Sequence, residues 1–304
     1  MLPEVLAWSG SRSSSASDWP LSTVLAAKGA TTISVVLPAR NERETVGEIV
    51  AAIRRDLPGL VDELVVIDSR STDDTAAVAS RAGARVIAQD EILPDLKPLD
   101  GKGEALWKSL AVTTGDLLVF IDSDLREFET SFVTGLLGPL LADPTVAYVK
   151  GCYDRPFGAE QTGGGRVTEL VARPLINLHW PELAGFVQPL SGEYAGRRTA
   201  LERVPFVTGY GVELGLLIDL LDLCGLDALA QVDLGRRVHS HQSTEALGGM
   251  AAQIMQTAWS RLTGVPLGRS QLRLTQFRRS ASGHEPVEHD VSVAQRPPMA
   301  SVLS

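Results

Sequence analysis

Apolar positions in the first half of the chain come in short unbroken runs, each followed by a stretch whose apolar residues recur at helical spacing. TTISVVLPA (31–39) is a β-branched run ended by Pro38 and predicts a buried strand. NERETVGEIVAAIRRDL predicts a helix after it, with Asn41 placed as its cap and Glu42 and Glu44 in the first turn, where the helix dipole favours acids. DELVVIDS (62–69) predicts a second strand. STDDTAAVASRAG then opens on a capping pattern, Ser71 with Asp74, and ends at Gly83. ARVIA (84–88) predicts a third strand, DGKGEALWKSLAVTTG a loop entering a helix, DLLVFIDSD a fourth strand and VAYVKGCY (146–153) a fifth. Strand and helix alternate four times, and the strands lack a polar face. That is the pattern of a mostly parallel α/β sheet covered by helices on both faces. Ligands of such sheets sit at the carboxyl ends of the strands, where Pro38, Asp68, Ser69, Asp122 and Asp124 fall.

The second half is less regular. TGGGRVTELVARPLINLHW puts three glycines and an arginine before a helix that Pro174 is expected to kink. GYGVELGLLIDLLDLCG and TEALGGMAAQIMQTAWSRL predict helices, and LAQVDLGRRVHSH a strand leading to a histidine pair. The Ser-rich first thirty residues predict a mobile arm, and the tail from about Ser270 a second, irregular one. A length of 304 residues supports a sizeable core, with 44% hydrophobic and 21% charged residues. A net charge of −9 argues against general nucleic-acid binding. No apolar run approaches the roughly 20 residues of a membrane helix. Cys152 and Cys224 form no C-x-x-C pair, which fits a reducing cytosol rather than a disulfide framework or zinc site.

Asp122-Ser123-Asp124 is the first chemical candidate. Carboxylates two positions apart on an extended segment point the same way, and such a pair can hold a divalent cation through oxygen ligands shared with substrate phosphates; two solvated loop aspartates would read the same way. The turn from Pro38 to Glu42 can offer backbone N–H groups to an anion or a base carbonyl, or can simply be a well-capped turn. Asp68 or Ser69 can bond a base or ribose, or cap a helix. Lys102 lies between two glycines, open either to a phosphate or to solvent. Gly165 and Arg166 begin a helix as an anion cradle with a bidentate fork, or as a flexible hairpin. Glu213 heads the apolar stripe of its helix with Leu217, Leu220 and Leu221, either as a structural anchor or as an acceptor for a sugar hydroxyl, with Tyr210 one turn before it.

Taken together, VVLPARNE, VVIDSRSTDDT, GKGEALW and VFIDSDL resemble the nucleotide-sugar half of the GT-A glycosyltransferases. TGGGRVTELVARPL, QPLSGEYAGRR, GYGVELGLLID and AQVDLGRRVH extend the resemblance, over roughly residues 30–265, to the actinobacterial glucosyl-3-phosphoglycerate synthases, a retaining family. The resemblance implies a GT-A-type, Rossmann-like fold with a smaller C-terminal acceptor-binding part: a nucleotide-sugar half over 31–155, an acceptor half over 156–265, and arms at 1–30 and 266–304. It implies transfer of glucose from UDP-glucose to the 2-hydroxyl of 3-phosphoglycerate, the first step towards methylglucose lipopolysaccharide, by a cytoplasmic homodimer using Mg²⁺ or Mn²⁺.

The family's uridine contacts would fall on Pro38, Ala39, Arg40, Asn41, Glu42 and Ser69. Lys102 would face the diphosphate, Asp124 would bind the metal with His239, and Asp122 and Ser123 would lie nearer the ribose. Acceptor contacts would fall on Gly165, Arg166, Val167, Thr168, Arg237 and His241, and Tyr210 and Glu213 would meet the glucose. Lys102, Asp124 and Glu213 are the expected catalytic residues. Arg40 and Arg70 depart from the small or apolar residues expected at those places, so the loop after the second strand is expected to differ in shape. Other readings are a GT-A transferase using a mannosyl or GDP-sugar donor or a glycerate acceptor, a sugar-phosphate nucleotidyltransferase, and a silent nucleotide-sugar-binding protein. The Gly-rich G-x-G-T-R-type loop usual in the nucleotidyltransferases is absent after the first strand.

Overall fold

The structure, a computed structural model, describes residues 1–154, 156–157, 160–163, 165–236, 243–268 and 271–303. In chain order the first strands are β1 (Ser13–Ser15), β2 (Ile33–Ala39), β3 (Glu63–Asp68), β4 (Arg85–Ala88), β5 (Leu117–Phe120) and β6 (Tyr148–Asp154). They are followed by β7 (Pro156–Phe157), β8 (Glu160–Gly163), β9 (Tyr194–Arg197), β10 (Phe206–Val207), β11 (Leu229–Arg236), β12 (Arg273–Ser280), β13 (Gly283–Asp290) and β14 (Gln295–Arg296). The helices are α1 (Pro3–Arg12), α2 (Leu21–Lys28), α3 (Val46–Asp56), α4 (Thr75–Arg81), α5 (Lys102–Val112), α6 (Ser131–Ala142), α7 (Arg173–His179), α8 (Arg198–Leu201), α9 (Val212–Cys224) and α10 (Thr244–Thr263).

Among the described residues, eight strands form the main sheet in the order β1-β11-β6-β9-β5-β2-β3-β4. Only β9 is antiparallel to its neighbours. The unbroken apolar runs follow from burial on both faces. Successive side chains on a strand point to opposite sides, so Val36, Val65, Ile67, Leu118 and Phe120 enter one core with Trp107, Leu214 and Leu217. Val35, Leu37, Val66, Val119 and Ile121 enter the other with Ile49, Ile53, Phe132 and Leu136. The predicted mostly parallel sheet with helices on both faces is therefore present. Among the described residues no helix is long and apolar enough to cross a membrane.

Four expectations are corrected. Residues 1–30 are not an arm: Trp8 is buried, donates its indole N–H to the Leu229 carbonyl at 2.7 Å and packs on Phe186, while β1 pairs with β11 along the sheet edge. A Ser-rich strand is illegible by hydropathy because it contributes backbone hydrogen bonds, not apolar surface. Residues 266–304 are not an irregular arm: β12 and β13 make a hairpin, β14 pairs with β10, and Met299 is fully buried. The boundary at residue 155 does not divide the sheet, because β9 and β11 from the second half lie in it, β9 between β5 and β6.

The fourth correction concerns helix starts. Asn41 does not cap α3, which begins at Val46. Asn41 sits at φ 60°, a left-handed conformation Asn tolerates, and ties two turns together. Its N–H donates to Ser71 Oγ at 3.0 Å and its Oδ1 accepts from Thr72 N–H at 2.8 Å. The Ser71–Asp74 capping box is likewise not formed; Asp73 instead accepts from the Thr75 N–H at 3.0 Å. Asn41 and Ser71 bond across to each other's turns instead of capping locally.

Candidate active site

The carboxyl ends of β2, β3 and β5 open onto a cavity of about 840 Å³. Pro38, Ala39, Arg40 and Glu42 line it from the turn after β2, Ser69 from the turn after β3, and Asp122, Ser123 and Asp124 from the end of β5. Lys102 enters at the start of α5, and Tyr210 and Glu213 from the start of α9. Gly165, Arg166, Val167 and Thr168 close the cavity from the helical turn after β8. Of the expected site residues, Asn41 stands behind this lining, engaged with Ser71 and Thr72. Arg237, His239 and His241 lie outside the described residues.

The centre of the cavity is an ion cluster. The Lys102 ammonium pairs with Asp122 and, at 3.1 Å, with Glu213. Burial alone would lower the Lys102 pKa, but Asp122 and Glu213 outweigh it and hold the group firmly charged. Glu213 is buried at the first turn of α9, as the helical spacing predicts, because the apolar stripe below it seats against the sheet. Gly192 lies against the Lys102–Asp122 pair, where a Cβ would come within 2.1 Å of Asp122 Oδ2. Beneath the cluster Lys150 is buried on β6. Its Nζ lies 4.7 Å from the centroid of the Tyr194 ring and 3.4 Å from the Tyr148 hydroxyl. Burial, reinforced by Lys102 and opposed by Glu213, pushes its pKa down to about 7.

Several expected contacts are already committed within the fold. Ser123 Oγ donates to the Pro38 carbonyl at 2.8 Å, pinning the ends of β2 and β5 together. Ser69 Oγ donates to Gln89 Oε1 at 2.9 Å, and Gln89 Nε2 to the Leu99 carbonyl. Arg70 adopts φ 62° and pairs with Asp90 and Asp100, which strap the loop before α5 to the turn after β3. Gln89, Asp100, Gly192, Gly209 and Gln253 also line the cavity and were not predicted. Gln253 reaches in from α10 and accepts from the Tyr210 N–H at 2.9 Å, a long-range contact with no local sequence signal.

Burial raises the Glu42 pKa to about 7, with Asp124 and then Asp122 adding to the shift. Negative charge is thus crowded at the β2 and β5 ends of the cavity. Among the described residues no three His, Cys, Asp or Glu side chains converge as a complete metal cage. An oxygen-donor pair in an excess of negative charge nevertheless fits Mg²⁺ or Mn²⁺, which keep coordination positions for water and substrate phosphates.

Residues 34–203 match glycosyl transferase family 2. The glucosyl-3-phosphoglycerate synthase of Mycolicibacterium smegmatis is 50% identical over 288 residues, covering 93% of this chain and 94% of that one. The crystal structure of the Mycobacterium tuberculosis enzyme with Mn²⁺, UDP and phosphoglyceric acid superposes with a TM-score of 0.85 at 48% identity, covering 93% and 95% of the two chains. That enzyme has also been crystallised with Mg²⁺ and UDP, and with Mn²⁺, UDP-glucose and phosphoglyceric acid. Mannosyl-3-phosphoglycerate synthase from Rubrobacter xylanophilus superposes with a TM-score of 0.91 at 39% identity, covering 99% and 98%. By sequence and fold, the chain belongs to glycosyl transferase family 2 and, within it, to the glucosyl-3-phosphoglycerate synthases.

Proposed function

We propose that this chain transfers glucose from UDP-glucose to the 2-hydroxyl of 3-phosphoglycerate with retention, giving glucosyl-3-phosphoglycerate. The observation that carries the reading is the Lys102–Asp122–Glu213 cluster, set in one cavity between the β2, β3 and β5 ends and the Gly165–Arg166 turn. Its support is the M. tuberculosis enzyme, which binds UDP-glucose, phosphoglyceric acid and glucosyl-3-phosphoglycerate.

In this reading the uridine lies along Pro38–Glu42 and Ser69, with the ribose near Asp122 and Ser123. Asp124, with His239, would hold Mg²⁺ or Mn²⁺, which when bound supplies positive charge to the diphosphate. Lys102 donates hydrogen bonds to the diphosphate and offsets the charge that builds on the UDP leaving group as the anomeric bond breaks. Glu213 and Tyr210 orient the glucose through its hydroxyls. Arg166, the first-turn N–H groups through Thr168, and Arg237 and His241 bind the anionic ends of the acceptor. The acceptor hydroxyl attacks from the face the diphosphate leaves, and the departing phosphate oxygen takes its proton; a covalent glucosyl–Glu213 adduct would overturn this step. Placement in the cytoplasm rests on two free thiols, Cys152 and Cys224.

The test is to mix the protein with Mg²⁺, a panel of sugar nucleotides and 3-phosphoglycerate, and to follow released nucleotide and new phosphorylated glycoside. UDP release that depends on the acceptor, with a glucoside product, is expected. Preference for a mannosyl donor would support the second reading, mannosyl transfer, which the R. xylanophilus superposition over nearly the whole chain favours.

A further inference from the structure

A short segment near the C-terminus crosses behind the two cavity walls that carry Lys102 and Glu213. β14 pairs with β10 through Arg296↔Phe206 and Gln295↔Val207. The next residue of that wall, Thr208, is bound on both sides. Its N–H donates to the Ala294 carbonyl at 2.9 Å, its hydroxyl exchanges bonds with Ala294 at 3.1 Å, and its carbonyl accepts from the Gly103 N–H at 3.1 Å. The contact with α5 is so close that a Cβ on Gly103 would lie 1.8 Å from the Val207 carbonyl oxygen. The chain then runs directly on through Tyr210 to Glu213.

Arg296 locks this arrangement from its own side. Arg296 is buried, 8% exposed as a residue, and its guanidinium forms a two-pronged pair with the fully buried Glu104, with both contacts at 2.7 Å. A further bond goes to the Lys97 carbonyl at 2.6 Å, in the loop before α5. The guanidinium also lies 5.1 Å from the centroid of the Trp107 ring, whose indole N–H donates to Pro297 O at 2.8 Å. Glu104 is two residues beyond Lys102, in the first turn of α5. Buried ion pairs are poor stabilisers compared with well-packed apolar side chains, so bulk stability is a weak reason for this one. A rigid planar fork that fixes one helix start against a neighbouring wall is a better reason.

We propose that Arg296 is a positioning residue for group transfer: by clamping the first turn of α5 to the 206–213 wall, it sets the Lys102 ammonium against Asp122 and Glu213. The inference rests on the glucosyl-transfer reading for what Lys102 does, and not for the clamp itself.

The test compares R296K, R296M and E104Q with the wild type, well below the melting temperature of each folded variant. Turnover per folded molecule, both KM values and calorimetric UDP affinity with Mn²⁺ are read. A misplacement of about 1 Å costs on the order of 100-fold in rate, so R296M is expected to lose at least about tenfold in kcat, with the KM for 3-phosphoglycerate changed by less than about threefold. R296K should recover part of the loss. UDP affinity should fall in parallel, and that readout stands even if the donor sugar proves not to be glucose. In a Lys102→Ala background the effect of R296K should disappear, because residues acting through one group are not additive. Lower melting temperatures with kcat and UDP affinity within twofold of wild type would overturn the proposal, as would full additivity with Lys102→Ala. If R296M does not fold, R296K and E104Q decide the question on the same readouts.

Discussion

Gly192→Ala is a small substitution aimed at the centre of the site. Its methyl would come within 2.1 Å of Asp122 Oδ2 and 2.6 Å of Lys102 Nζ. The backbone there cannot easily yield, since the next residue's carbonyl, on Glu193, accepts from the Gly151 N–H at 2.9 Å and β9 starts one residue later inside the sheet. Asp122 and Lys102 must therefore give way by roughly 1 Å to restore ordinary contact. Such a displacement of aligned groups costs about 100-fold in kcat/KM, or about 2.7 kcal/mol of transition-state stabilisation. The pair is only partly exposed, so its disruption should cost stability about 1 kcal/mol, or about 1–2 °C in Tm for a chain of this length. The assay is acceptor-dependent UDP release under kcat/KM conditions, with melting followed by circular dichroism. Gly249→Ala is the control, because the nearest neighbour of its added methyl is Val291 Cγ1 at 4.0 Å. A folded Gly192→Ala protein with kcat/KM within threefold of wild type would refute the placement of Asp122 and Lys102.

Lys150→Met should raise Tm at pH 6. The folded-state pKa of Lys150 is depressed to about 7 from 10.5, chiefly by burial. The penalty is therefore complete below pH 7 and is relieved as pH rises towards 10.5, where the unfolded chain also releases the proton. The advantage of the variant, a few kcal/mol at most, should shrink steadily above pH 7, and a pH-independent gain would refute this account. Trp8→Ala should lose about 3–5 kcal/mol in chemical denaturation; a loss below about 1 kcal/mol would return the N-terminal segment to the status of an arm. Chelating divalent cations should weaken UDP binding at least tenfold by calorimetry, and unchanged affinity would remove the role of Asp124. Arg70→Gly should change stability by less than about 1 kcal/mol, because the half-exposed pairs it loses are weak and glycine relieves the left-handed φ; a loss of several kcal/mol would show that the strap holds the core.

What was legible in the sequence were features that leave a local signal. β2, β3, β5 and β6 show as unbroken apolar runs because both sheet faces are covered, and the residues that end β2, β3 and β5 were marked as candidates for the same reason. Glu213 was placed inward by the helical spacing of Leu217 and Leu220. What was not legible depends on partners far along the chain. β9 is four residues containing a glycine and an arginine, and it is a strand only because β5 and β6 hold it from either side. Gly192 shows its importance only once Asp122 and Lys102 are beside it. Arg296 looks like a solvated tail residue until Glu104, 192 positions earlier, is found under it. Asn41 and Ser71 carry capping chemistry but spend it on each other's turns.

The parallel pairing of β1 with β11 has a bearing on how the protein is made. Ser13 and Gln231 are 218 residues apart. At about 5–20 residues per second, the first segment leaves the ribosome about 10–40 s before its sheet partner is synthesised. Until then Trp8 has no Leu229 carbonyl to bond, and the three serines of β1 are a poor nucleus for misassembly. The polar character of this opening stretch suits a piece that must wait in water, and closing the sheet edge becomes one of the last acts of folding.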